Sequence, residues 1–109
     1  MIKFNNLNQE EPYLKLKQKY DEATNENQKS IEAITISSFS KQYNEVNSRY
    51  VNLKFIDNNE FFFFSNYTSP KSQEFIEHNQ ITALFFWNST NTQIRIKAKI
   101  KKTSSEYNQ

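Results

Sequence analysis

Two periodicities divide the chain. Behind Pro12, the apolar residues Tyr13, Leu16, Tyr20 and Ala23 fall at i, i+3, i+7 and i+10, which predicts a helix over 12–24 with the proline in its first turn. Residues 1–9 are a polar lead-in, and the segment from Asp21 to Ser30 is polar and without period, so the helix is expected to end near Ala23 and pass into a loop. From Ala33 onward the texture changes to short β-branched and aromatic runs separated by polar clusters, the mark of consecutive strands. Strands are expected at Ala33 to Phe39 and Asn47 to Ile56, with Asp57-Asn58-Asn59-Glu60 turning the chain into Phe61 to Phe64 as a hairpin. Ser69-Pro70 reads as an N-cap and first helical residue for a short helix from Lys71 to His78 carrying Phe75 and Ile76. Strand character returns at Ile81 to Trp87. In the last element Ile94, Ile96, Ala98 and Ile100 alternate with Gln93, Arg95, Lys97, Lys99 and Lys101, so one face is expected to be buried and the other wet.

Five strands with one short helix among them and another in front predict a mainly β fold, a small antiparallel barrel or tightly rolled sheet partly covered by a helix. Its core spans 33–102, and 109 residues leave room for one domain.

Composition then removes chemistry. The chain has no Gly, so neither a Walker A loop nor a G-x-G-x-x-G turn can bring backbone amides to a phosphate, and any bound phosphate must be held mainly by side chains. Its 15 Asn residues, which tolerate the left-handed region, are suited to the turn work that Gly normally does, as at Asn58-Asn59. The absence of Cys removes disulfides, thiolate zinc sites and cysteine nucleophiles. A single His, His78, sits at a helix end and cannot supply a multi-histidine metal site; a catalytic triad built on it is disfavoured. The net charge of +2, from 12 Lys and 2 Arg against 12 acids, is too mild to mark a nucleic-acid binder. No apolar run approaches the roughly 18 residues of a membrane span, and the start of the chain lacks a signal-peptide core; a cytoplasmic protein is expected.

Polar residues inside strands need solvent or a ligand. Strict alternation through Ser48-Arg49-Tyr50-Val51-Asn52-Leu53-Lys54 sets Arg49 on one face with Val51, Leu53 and Phe55, where an arginine either reaches water at the strand's mouth or holds an anion. Downstream, Phe64-Ser65-Asn66-Tyr67-Thr68-Ser69-Pro70-Lys71 joins a strand to a helix start, where hydroxyls and a lysine can converge on an anion. Lys71 opposes the helix dipole there; a bound negative group would explain it, and so would plain solvation.

Four blocks in order, S-R-Y-V-N-L-K, F-F-S-N-Y-T-S-P-K, N-Q-I-T-A-L-F-F-W and Q-I-R-I-K-A-K-I, resemble the pyridoxamine 5′-phosphate oxidase family over Pro12 to Tyr107. The resemblance implies an FMN-binding split barrel that pairs as a homodimer. It implies further that Arg49 and Lys71 contact the FMN phosphate with Ser65 nearby, that Phe64 stands beside the flavin and that Gln93 bonds the flavin ring edge. Lys54 would meet flavin or the phosphate of a vitamin B6 substrate. The family chemistry is oxidation of pyridoxamine or pyridoxine 5′-phosphate to pyridoxal 5′-phosphate with oxygen, carried out by the flavin, in keeping with the lack of an evident general acid or base.

Two departures stand out. Pro70 replaces a family Arg of the phosphate site, and the sequence stops after Ser105-Glu106-Tyr107, where the family continues into substrate- and flavin-binding residues. The expectation is therefore a truncated member with weak activity or none. Two rivals remain: a dimeric split barrel without flavin, and an oligonucleotide-binding barrel in which residues of the Phe61 to Phe64 run stack bases while Lys97, Lys99, Lys101 and Lys102 follow phosphates.

Overall fold

A computed structural model describes residues 1–64 and 79–101. Its elements, in chain order, are β1 (Lys3–Asn5), α1 (Glu11–Asn25), β2 (Ala33–Ser40), β3 (Glu45–Asp57), β4 (Glu60–Phe63), β5 (Gln80–Trp87), a short 3-10 turn (Asn88–Thr90) and β6 (Thr92–Lys99). The expected helix from Lys71 to His78 lies outside the described residues. The strands form one mainly antiparallel sheet in the order β1-β3-β2-β5-β6, with β4 also paired to β3. Within the described residues the sheet does not close. It rolls far enough for Lys101 Nζ, just past β6, to lie 3.7 Å from the Glu60 carboxylate at the start of β4.

The inward face is apolar along most of its width. Ile34 and Ile36 of β2, Leu53 and Ile56 of β3, and Ile81, Ala83, Phe85 and Trp87 of β5 are buried together with Leu16, Tyr20 and Ala23 of α1. The helix is held to the sheet by rings as well as aliphatics: Tyr20 meets Trp87 edge-on at 5.9 Å between centroids, and the Trp87 indole donates to the Ile31 carbonyl at 3.0 Å.

Three expectations are corrected. The lead-in contains a sixth strand, β1, and it pairs parallel to β3, with Phe4 opposite Ile56. Three residues cannot hold such a strand alone; Ile2 is buried and its amide donates to the Tyr20 hydroxyl at 3.0 Å, while Phe4 packs on the Tyr20 ring at 5.0 Å. The helix runs two residues past Ala23, to Asn25, because its end is set by a backbone motif rather than by apolar period. The Gln28 amide bonds the Ala23 carbonyl and the Asn27 amide the Thr24 carbonyl, with Asn27 at φ 58° where Gly is usual. Finally, Phe55 does not follow Arg49, Val51 and Leu53 inward. Leu53 pairs with Phe63 and Phe55 with Phe62, so Lys54 is an extra residue, a β-bulge, that reverses the phase and sends Ile56 into the core. Phe55 instead stacks on Phe62 at 4.4 Å.

The last strand shows the expected alternation, but its inner residues Ile94 and Ile96 are only half-buried and Ala98 is exposed. An edge position explains this, since among the described residues β6 has a paired neighbour, β5, on one side alone.

Positive φ angles occur at Asn6, Asn27, Ser30, Asn44, Asn58 and Asn91. Five of these six are asparagine, so Asn has taken over the left-handed turns of a chain without Gly. Asn91, at φ 50° and ψ 46° between the 3-10 turn and β6, isolates the effect. Asn91→Ala is expected to lower stability by up to about 1 to 2 kcal/mol, the cost of left-handed backbone for a residue without asparagine's short polar side chain, whereas Asn91→Gly keeps or raises it; urea denaturation midpoints of the two variants check this.

Candidate functional site

Alternation along β3 turns Asn47, Arg49, Val51 and Leu53 to the inner face and Val46, Ser48, Tyr50 and Asn52 to the outer one. Arg49 is opposite Ile36, which is opposite Ala83, which is opposite Ile96, so the guanidinium ends an otherwise apolar cross-strand row. One step along the strands, the next row runs Ala98, Ile81, Ser38, Asn47. The inner face therefore has a polar corner, formed by Arg49, Asn47 and the buried Ser38 and Ser40. All three guanidinium nitrogens of Arg49 are buried. Because that group stays protonated at any ordinary pH, a fixed positive charge is set into the corner.

The remaining candidates fall elsewhere. Lys54 is exposed at the bulge of β3. Its place there follows from the phase reversal, since an extra residue needs room that only the solvent side offers. Phe64 is half-buried immediately after β4, continuing the aromatic run in which Phe61 and Phe63 pack on the core and Phe62 on Phe55. Gln93 is exposed on the outer face of β6, opposite Phe86 of β5. Ser65 and Lys71 lie outside the described residues. Arg49 and Gln93 thus look to opposite faces of one sheet. Lys54 and Gln93 are both exposed but belong to strands three spacings apart, or about 14 Å at about 4.8 Å per strand.

The outer face also holds two aromatic residues that the sequence reading did not single out. Tyr50 is 77% and Phe86 57% exposed, and between them opens a depression of about 360 Å³ also lined by Ala33, Thr35, Leu84 and Lys29. Period two was the signal that would have found them: Arg49 inward makes Tyr50 outward, and Phe85 inward makes Phe86 outward. The polar corner, with its fixed positive charge, suits a phosphate; the slot lies on the other face of the sheet. Among the described residues no group of three or more His, Cys, Asp or Glu could hold a metal ion, and no helix is long and apolar enough to cross a membrane.

No family model matches the chain. Individual relatives do. A pyridoxine/pyridoxamine 5′-phosphate oxidase from Colwellia psychrerythraea is 42% identical over 73 residues, covering 67% of this chain and 33% of the relative. One from Nostoc sp. is 32% identical over 93 residues, covering 85% of this chain and 43% of the relative. The chain therefore spans a third to somewhat under half the length of these curated relatives. Among solved structures, PhzG from Burkholderia lata, in complex with tetrahydrophenazine-1-carboxylic acid, superposes with a TM-score of 0.81 at 23% identity, over 88% of this chain and 47% of that one. A pyridoxamine 5′-phosphate oxidase-related, FMN-binding protein from Nostoc punctiforme superposes with a TM-score of 0.71 at 10% identity, over 83% of this chain and 46% of that one. These two likenesses establish the fold, an open six-stranded split barrel, and the sequence relatives carry the kinship: over the residues it shares with them, the chain belongs to the pyridoxamine 5′-phosphate oxidase family.

Proposed function

We propose that the chain binds FMN in a site completed by a second copy of itself, with Arg49 and Lys71 on the phosphate, Ser65 beside them, Phe64 and Lys54 near the flavin, and Gln93 on the ring edge. The observation that carries this reading is the buried guanidinium of Arg49 in a polar corner of the sheet. A permanent positive charge in that position attracts an anion, and a phosphate adds charge-assisted hydrogen bonds of the stronger kind. Arg49 and Gln93 face opposite ways on one chain, so a ligand touching both takes one from each copy. Flavin, when bound, supplies the hydride and oxygen chemistry, and the protein's residues bind and orient it.

For a vitamin B6 phosphate, Lys54 is the anchor in this reading. It is exposed, on a flexible stem, and acts as a point charge that attracts a phosphate without fixing its angle. Oxidation of pyridoxamine or pyridoxine 5′-phosphate is thus proposed to be slow or absent. A dimer without flavin is the second reading, for which the exposed Tyr50, Phe86 and Val46 of the outer face supply an apolar surface.

Two measurements separate these. Flavin titration followed by fluorescence quenching is expected to show FMN bound more tightly than riboflavin, with Arg49→Ala weakening FMN by about 1.5 to 3 kcal/mol, the scale of a hydrogen bond to a charged group, and leaving riboflavin nearly unchanged. Equal affinity for the two flavins would remove the role given to Arg49, and no binding of either would leave the flavin-free dimer. With FMN, pyridoxine 5′-phosphate and air, peroxide and aldehyde should form at well under about 1 per second; faster turnover would mean that another group positions the substrate.

A further inference from the structure

Strand register is weakly held where a slip by one residue costs no apolar contact, and one stretch of this sheet meets that condition. In Phe61-Phe62-Phe63-Phe64 every position is Phe, so either alternate set offers rings to the core. β3 brings the same ambiguity, since Phe55 and Ile56 are neighbours and both large and apolar. As observed, Ile56 is opposite Phe61, Phe55 opposite Phe62 and Leu53 opposite Phe63, which leaves Lys54 over as the bulge. Removing the bulge while keeping the turn at Asp57 and Glu60 sets Lys54 opposite Phe63 and Leu53 opposite Phe64. Phe55, Phe62 and Phe64 then face inward in place of Ile56, Phe61 and Phe63, and Lys54 still faces solvent. The straight hairpin also recovers the ladder bonding that a bulge interrupts.

β4 is served by either register, but β1 only by the bulged one. β1 pairs Lys3 with Phe55, Phe4 with Ile56 and Asn5 with Asp57, and residues paired across strands lie on one face of a sheet. With Ile56 inward, Phe4 packs on the core while Lys3 and Asn5 are exposed. With Phe55 inward, Lys3 and Asn5 would have to point into the core and Phe4 away from it. The bulge lies where the partner of β3 on that edge changes from β2, last paired at Asn52, to β1, first paired at Phe55, so a change of phase there leaves the β2 ladder intact. β1 is in turn held from α1, by the Ile2 amide on the Tyr20 hydroxyl at 3.0 Å and by Phe4 against the Tyr20 ring at 5.0 Å.

We infer that the β3–β4 hairpin has two registers, bulged and straight, and that docking of β1 on Tyr20 selects the bulged one. The choice reaches the site. In the bulged register Phe64 lies just past β4, half-buried; in the straight one it is taken into the core opposite Leu53. Release of β1 thus withdraws Phe64 from the flavin. That consequence rests on the flavin reading above, which sets Phe64 beside the ring, whereas the two registers do not.

NMR of the full chain tests this, with cross-strand proton contacts to read the register and saturation-transfer exchange measurements to find minor forms. The parent is expected to show Leu53 against Phe63. Phe4→Ser, which removes the inward ring of β1, should raise the straight register about tenfold or more, seen as a second set of signals in residues 53–64 with Leu53 against Phe64. Adding Phe64→Asn, which sets an amide at an inward position of the straight form, should abolish that second set. A Phe4→Ser protein with Leu53 against Phe63 alone would overturn the inference, and so would a second set that survives Phe64→Asn. Should Phe4→Ser unfold the chain, Tyr20→Phe decides: loss of its one hydrogen bond is expected to raise the straight register by about threefold or more, and a single register in that variant would overturn the inference. Flavin titration keeps the two readings apart. If the straight register appears but FMN binds neither parent nor variant, the flavin reading fails and the inference stands; if FMN binds the parent and the hairpin keeps one register throughout, the reverse holds.

Discussion

The register of β3 governs what every other element can do. Over its 13 residues this strand pairs with β2 along its first part, and with β1 and β4 along its last. A straight strand in strict alternation would keep one face throughout. The extra residue at Lys54 reverses the phase between Leu53 and Ile56, so both enter the core although they are three positions apart. With that reversal, Phe4 of β1 and Phe61 of β4 are opposite Ile56 and join the same core. Without it, Phe55 would face inward and Ile56 outward, and Phe4 and Phe61 would lose Ile56 as their partner in the core. The same phase fixes Arg49 inward, Tyr50 outward and Lys54 in solvent, so the chemistry of the site is set by a packing requirement.

A second constraint is the lack of Gly. Left-handed backbone is needed wherever this chain turns sharply, and Asn supplies it at five described positions. The choice has side benefits, since an asparagine carries a side chain that Gly does not. Asn58 accepts from the Asn8 amide at 2.8 Å and Asn6 donates to Asp57 at 3.0 Å, tying the end of β1 to the β3–β4 turn across some fifty residues of sequence. Turn chemistry and long-range attachment are thus met by the same residues.

Much of this was legible in the sequence because it depends on period alone. The amphipathic face of α1, the inward set of β2 and β5, and the placing of Arg49 with Val51 and Leu53 all follow from spacing. What escaped depends on contacts between distant residues. Nothing local distinguishes Lys3–Asn5 from loop, as that strand exists through Ile56 and Tyr20; nothing local announces a bulge at Lys54, as it is needed only because β1 and β4 must both be served. Exposed Tyr50 and Phe86 were implied by the alternation used for Arg49 and Phe85, but an outward aromatic carries no signal until the face it shares is known. Ser65 and Lys71 were named from their family block, and lie outside the described residues.

The account comes down to a charge buried on one face of the sheet, Arg49, and a ring-edge contact on the other, Gln93, brought to a single ligand by pairing two copies. The most direct test is the visible absorption spectrum of the protein after incubation with excess FMN and removal of the unbound flavin, taken together with its mass by light scattering. A yellow dimer carrying close to one flavin per chain is what the account predicts. A colourless protein, or a flavin-loaded monomer, would contradict it.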